Sequence, residues 1–333
     1  MKRSVLTILV LLLAACRGAQ PDIAEIRIPK GAGGVGFLPL VVMEKHGLIE
    51  QHARKAGVEV RVRWIDLGGP AIVNDALLSG SADFIAAGPP AFITLWDRTR
   101  SSVQVKGVAA MTSLPMYLNT RAAHLHGLDD LTDSDRIAVT AVKVSIPSII
   151  MQMYARAKYG DAAAGRFDKY TVTMTHPDGV VALLSGSGAV SAHFTSPPFH
   201  QRERKDPRIR TIMTSDEVMG GSTTFTMIST TTKFRNDNPL IYGAVLKALE
   251  EANAIIVADK PAAAAVLLAS TGEGGFSQDE IVDVLTDPNI KFTTTPENIM
   301  KYAEFMQSIG SIANTPTSWK DLFFPEIHGA AGN

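Results

Sequence analysis

The sequence lacks most of the features that would settle its chemistry at once. It has one cysteine, Cys16, in 333 residues, so the chain makes no internal disulfide. It has almost no net charge, −1 at pH 7, which speaks against a nucleic-acid surface. Anion capture, if the chain performs it, then comes from local dipoles rather than from a global field. No Ser-His-Asp or Cys-His constellation is apparent. His124-x-His126 is half of a metal site without a third histidine nearby, and it reads as surface loop. The glycine-rich run Gly31 to Gly36 has no Gly-Lys-Ser/Thr ending, so it is not a phosphate loop of the Walker type. It reads instead as a turn where the backbone approaches a small ligand closely.

What is present describes an ordinary globular protein. Hydrophobic residues make up 46% of the chain and charged residues 20%. The length suits about two domains at ~150 residues each. The beginning reads as a targeting segment. Met1-Lys2-Arg3 is a positive n-region and Val5 to Leu13 an apolar h-region, too short for the ~20 residues that span a bilayer. Leu13-Ala14-Ala15-Cys16 resembles the lipobox of bacterial lipoproteins. That resemblance implies cleavage after residue 15 and lipidation of Cys16; a plain secretory signal is the alternative. Either way the chain is exported.

The chain is organised around Val58 to Trp96. Val58, Val60 and Val62 alternate with charged residues, the period of a strand. Gly68-Gly69-Pro70 breaks that strand and opens a helix. Ser79-Gly80 ends the helix, and Ala82 to Ala87 is a short apolar strand of the kind buried in parallel sheets. Gly88-Pro89-Pro90 opens the next helix. Two helix N-termini thus follow the carboxyl ends of two neighbouring strands, where open α/β sheets bind ligands. Upstream, Glu25 to Pro29 is a strand, and Phe37 to Met43 opens a helix after the glycine run. A second set repeats the first. LLSGSADFIAAGPPAF is matched by LLSGSGAVSAHFTSPPF (residues 183–199), and two α/β lobes of like construction follow. The remainder, from Pro239, is mainly helical and is expected to pack back onto the first lobe.

GVGFLPLVVMEKHGLIE, VRWIDLGGPAIVNDALLSGSADFIAAGPPAF, the KVSIPS turn and the second repeat resemble the periplasmic substrate-binding proteins of ABC importers in the nitrate/sulfonate/taurine/bicarbonate group. The resemblance implies an α/β, two-lobed periplasmic binding protein type II fold with a hinge and a ligand cleft. It places residues 25–113 plus 228–333 in lobe 1 and 114–227 in lobe 2, after a signal segment at 1–16. It implies a solute-binding lipoprotein of the cell envelope, without cofactor or catalysis. Its expected partners are a small ligand, a permease and an ATPase, and the membrane reached through the lipid on Cys16. A monomer is expected. A small organic anion such as a sulfonate leads for the ligand; a pyrimidine or other flat heterocycle, or a sensing role, is the alternative. Pyrimidine synthases of the same fold use a cysteine-rich motif that this chain lacks.

Candidate ligand contacts follow. Gly34, Val35, Gly36 and Phe37 line the first turn, with Phe37 either an aromatic wall or core. Gly69, Pro70 and Ala71 begin one helix; Gly88 and Pro89 begin the next. Backbone N–H groups there suit anionic oxygens. On the second lobe Lys143, Ser145 and Ser148 are candidates, Lys143 as counter-charge or as a solvated lysine. His193, Thr195 and Ser196 are candidates for hydrogen bonding, with a satisfied strand-end histidine as the other reading of His193.

Overall fold

The computed structural model describes residues 24–67, 69–271 and 275–333. The targeting segment and Cys16 lie outside them. The strands in chain order are β1 (Ala24–Pro29), β2 (Val60–Ile65), β3 (Ile85–Ala87), β4 (Val105–Ser113), β5 (Tyr117–Thr120), β6 (Ile137–Val139), β7 (Thr171–Thr173), β8 (Ala192–Thr195), β9 (Arg210–Thr214), β10 (Thr224–Thr231) and β11 (Lys291–Phe292).

They form two assemblies of one design. The second sheet has the order β7-β6-β8-β5-β9. In the first, β1 and β2 pair in parallel, and β3, β10, β4 and β11 form a ladder in that order. The two parts meet where the N–H groups of Asp83 and Phe84 donate to the Arg27 carbonyl at 2.9 and 3.4 Å. The second sheet repeats this join: Ser191 and Ala192 donate to the Arg136 carbonyl at 2.8 and 3.2 Å. The first order is therefore β2-β1-β3-β10-β4, like strand for like strand, with β11 added at the edge beyond β4. Both sheets are mixed rather than parallel, because β3 runs antiparallel to β10 and β8 antiparallel to β5. Each short central strand still reads as an apolar run, since helices cover it.

Proline and glycine punctuation sets the helix starts. Pro70–Leu78, Pro89–Thr99, Ile146–Tyr159 and His176–Ser185 all carry Pro in the first turn. Proline has no N–H to lose there, and its fixed φ suits the helix. The long helix Pro239–Ala258 buries Ile241, Val245, Ala248, Leu249, Ala252 and Ile256, the spacing of one helical face. That face packs on helices Leu38–His46 and Leu48–Lys55, so the chain's last third covers the first sheet.

The chain passes between the sheets twice, through Leu114–Met116 and through residues 215–223. The return is earlier than the sequence placed it. Thr224 already pairs with Ser113 and Thr226 with Thr112 in the first sheet, so residues 224–227 belong to that sheet's ladder. By sequence they fall to the second lobe, because a polar Thr-rich run carries no mark of which sheet it joins.

Candidate ligand-binding cleft

A cleft of about 600 Å³, counted out to its mouth, lies between the sheets. Gly31, Phe37, Val73, Ala86, Gly88 and Ala91 line it from the first lobe. Met116, Thr140, Ser145, Ile146, Pro147 and His176 line it from the second, and Phe225 and Thr226 from the strand that returns. Four helix N-termini gather around it, with Gly69, Gly88, Ser145 and Thr175 as the N-capping residues. Their first-turn N–H groups have no partner inside the helix. The prolines thin this supply: Ala71, Ala91, Ile146, Ser148 and His176 keep first-turn N–H groups, while Pro70, Pro89, Pro90, Pro147 and Pro177 have none.

The first-turn candidates divide. Phe37 is 8% exposed, lines the cleft and meets Phe225 edge-on at 6.4 Å. It is wall and core together. Gly36 packs beneath the cleft: a Cβ there would sit 2.1 Å from the Phe225 ring. Its carbonyl accepts from the hydroxyls of Thr112 and Thr226 at 3.2 and 2.6 Å. Gly34 and Val35 meet the other lobe instead of the cleft. Gly34 lies against Phe199, and the Val35 N–H donates to the Pro197 carbonyl at 3.3 Å. Gly31, Gly33 and Gly36 have the spacing of a dinucleotide turn. The Phe37 ring fills the space over Gly31 and the Phe225 ring that over Gly36, so no pyrophosphate fits against this backbone.

Among the helix-start candidates, Gly88 lines the cleft and Pro89 is buried beside it. Gly69 stands at the rim, where a Cβ would lie 3.4 Å from the Thr140 carbonyl across the cleft. Ala71 is exposed. On the second lobe Ser145 lines the cleft, but its hydroxyl donates to the Ala141 carbonyl at 2.6 Å. Ser148 donates to the same carbonyl at 3.0 Å and lies behind the wall. Lys143 is turned away. It occupies a left-handed turn position (φ 68°), is exposed, and borders an outer groove with Gln152, Arg156 and Asp161. Among the described residues no lysine or arginine lines the cleft.

His193, Thr195 and Ser196 are all buried and stand one layer back. His176 comes between them and the cleft. It is 5% exposed and stacks on Phe199 at 5.4 Å. Its Nδ1 faces His193 Nε2 at 3.2 Å and the Thr195 hydroxyl at 3.4 Å. Burial, with His193 beside it, holds its pKa well below the usual 6.5. His193 sits so deep because Gly179 leaves room for it; a Cβ on Gly179 would come 2.6 Å from the ring. No local motif singles out His176. The internal repeat marks it: counted back from the shared Leu-Leu-Ser-Gly, His176 takes the place of Pro70, the first residue of the equivalent helix. His124 and His126 form no metal cluster among the described residues. His124 Nε2 pairs with Asp135 at 3.0 Å.

The architecture can be compared with solved structures. The alkanesulfonate-binding protein SsuA from Xanthomonas axonopodis pv. citri, bound to MOPS, matches 86% of this chain and 93% of its own, at 16% identity and a TM-score of 0.64. This chain has the periplasmic binding protein fold. The same fold is seen in the aliphatic sulphonate binding protein SsuA from Escherichia coli (15% identity, 91% and 92% covered, TM-score 0.62). The periplasmic nitrate-binding protein NrtA from Synechocystis PCC 6803 matches 89% of this chain and 83% of its own, at 14% identity and a TM-score of 0.67. No family model and no curated protein sequence matches the chain. In binding-protein terms, the cleft described above is the interlobe cleft of the fold.

Proposed function

We propose that this chain captures a small organic anion, sulfonate-like and carrying an apolar group, and delivers it to an ABC import permease. The observation that carries this reading is the make-up of the interlobe cleft. Its wall is mostly apolar, and the polar donors reaching it are backbone N–H groups of helix starts, the Thr140 hydroxyl and one histidine. Such a wall suits an apolar body, and helix N-termini suit a compact anionic head without a lysine or arginine. The structural neighbours named for alkanesulfonate and nitrate favour the same class. In this reading residues 24–113 and 224–333 make the first lobe and 114–223 the second. Cys16 carries the lipid that holds the protein at the envelope, and the protein works as a monomer without cofactor.

A thermal-shift screen of the chain from Arg17 onward tests the reading against alkyl sulfonates, taurine, aromatic carboxylates, nitrate and pyrimidines. A ligand at ~100 times its dissociation constant adds roughly 2.7 kcal/mol, a rise of several degrees. A rise with sulfonates supports the proposal. A rise with pyrimidines alone overturns the anion, and no rise in a cooperatively melting protein overturns solute capture for these classes.

A further inference from the structure

Behind His176 a chain of buried hydrogen bonds leads away from the cleft. His193 Nε2 faces His176 Nδ1 at 3.2 Å, and His193 Nδ1 faces Glu203 Oε1 at 2.6 Å. Glu203 Oε2 accepts from Asn119 Nδ2 at 2.8 Å, and Asn119 Oδ1 accepts from the Thr211 hydroxyl at 2.8 Å. His193 and Glu203 are both 0% exposed. The order of partners ties the ring protons together. With Glu203 ionised each of its oxygens takes a donor, and His193 Nδ1 then carries a proton. With that proton alone, His193 Nε2 accepts from His176 Nδ1, and His176 Nε2 is left as a bare acceptor. With a second proton, His193 Nε2 donates to His176 Nδ1, and His176 keeps its own proton on Nε2. The heavy atoms sit in the same places in both cases.

Two physical arguments select the second arrangement. The Asn119 N–H donates to Oε2, which leaves Oε1 to face His193 Nδ1 at 2.6 Å, the short contact of a charge-assisted hydrogen bond. A buried carboxylate needs a counter-charge, and among the described residues the group paired with Glu203 that can carry one is His193. We propose that Glu203 and His193 form a buried carboxylate–imidazolium pair that holds His176 with its proton on Nε2, so that His176 is a hydrogen-bond donor to the ligand. This rests on the solute-capture reading above. His193 and Glu203 are positioning residues: they touch no ligand and decide what His176 presents to one. The specificity follows from the sign. An acceptor oxygen of a sulfonate or carboxylate is matched, whereas an ammonium meets N–H against N–H. The other titratable neighbours do not compete for the pair. His200, on the same helix as Glu203, stacks on Tyr117 at 3.7 Å and shares Asn119. Burial and Arg204 lower the pKa of His200 to about 4, against a weaker pull from Asp287.

Imidazole ¹⁵N spectra of the purified protein at pH 7, with no ligand added, read this directly. The expected result is His176 protonated on Nε2 alone and His193 protonated on both nitrogens, with His176→Gln used for assignment. In Glu203→Gln the counter-charge is gone, His193 drops to one proton, and His176 switches to Nδ1–H. A wild-type His176 with a bare Nε2, or a singly protonated His193, overturns the proposal even if the variant fails to fold. Calorimetry with 1-butanesulfonate and n-butylammonium adds the second arm. His176→Ala is expected to weaken the sulfonate at least about tenfold, and His176→Gln, which keeps a donor, less than about threefold. Equal binding by His176→Ala also overturns the proposal. If the spectra are as expected and neither probe binds, the donor stands and the ligand class proposed above falls.

Discussion

The two walls of the cleft come from one pattern written twice, and they differ in kind. Aligned on their proline pairs, Ile85 of the first lobe stands where His193 stands in the second, Leu95 where Glu203 stands, and Phe92 where His200 stands. Ile85, Phe92 and Leu95 are buried in a continuous apolar core. Their counterparts form a buried polar chain ending at His176. The layer beneath the first wall therefore offers packing alone, and that beneath the second offers hydrogen bonds. The comparison teaches that a repeated backbone tolerates either chemistry beneath it. Arg27 and Arg136 each accept the same pair of backbone bonds at the strand join, whatever side chains follow.

The largest effect comes from breaking the polar layer on one side only. Glu203→Ala leaves His193 buried without its partner, and denaturant unfolding should show a loss of about 3–5 kcal/mol. Rewriting the second lobe in the language of the first, as His193→Ile with Glu203→Leu, should recover most of that loss, because apolar pairs of similar volume often replace buried ion pairs without penalty. A double variant no more stable than Glu203→Ala would show that the two layers are not interchangeable.

The apolar wall is broken by adding one carbon. Gly36→Ala puts a Cβ into the Phe225 ring, and overpacking of this kind costs about 1–3 kcal/mol. The melting midpoint should fall, and ligand affinity with it, because Phe225 lines the cleft. A variant with unchanged midpoint would mean that the wall yields.

Acid separates the walls without mutation. His200 is held neutral with a pKa of about 4, below the 6.5 of an unfolded histidine. The unfolded chain takes up a proton between these values and the folded chain does not. This share of stability is therefore complete above pH 6.5 and is lost as pH falls toward 4. It is on the order of 2 kcal/mol after a discount for partial exposure. His176 adds in the same direction. Melting of His200→Gln across this range should be visibly flatter than wild type, and parallel curves would refute the assignment.

The smallest effect is expected at Lys143. It is exposed and outside the cleft, so Lys143→Ala should change affinity by less than about twofold and stability by less than about 0.5 kcal/mol. A large loss of affinity would return the lysine to the ligand and undo the contrast between the walls.

These residues also mark where a sequence stops being readable. Helix starts are legible at Pro70 and Pro89, which are fixed in φ and lack an N–H, whereas the KVSIPS turn already holds the first residues of its helix, Ile146 to Ser148. Strand β3 came out three residues shorter than the apolar run Ala82–Ala87, because Asp83 and Phe84 give their N–H groups to Arg27 instead of to a ladder. Asp83 holds the strand start, through its carboxylate on the Arg27 backbone and guanidinium. The ten-residue 3-10 segment Asp161–Tyr170 has no period to announce it. The site was harder. Alternation shows that His193 and Thr195 share a face, but not which face looks at the cleft. A turn such as Lys143 to Ser145 does not say which of its side chains points in. His176 was within reach, since the repeat that defined the two lobes also aligns it with Pro70.

The clamp on the Gly36 carbonyl has a consequence for timing. Thr112 and Thr226, which hold it, lie on β4 and β10, next to the two places where the chain leaves the first sheet. Were the second lobe to swing about those same exits, the floor carrying Phe37 and Phe225 would stay close to the axis and the His176 wall would travel, so the histidine would part first from whatever the cleft holds.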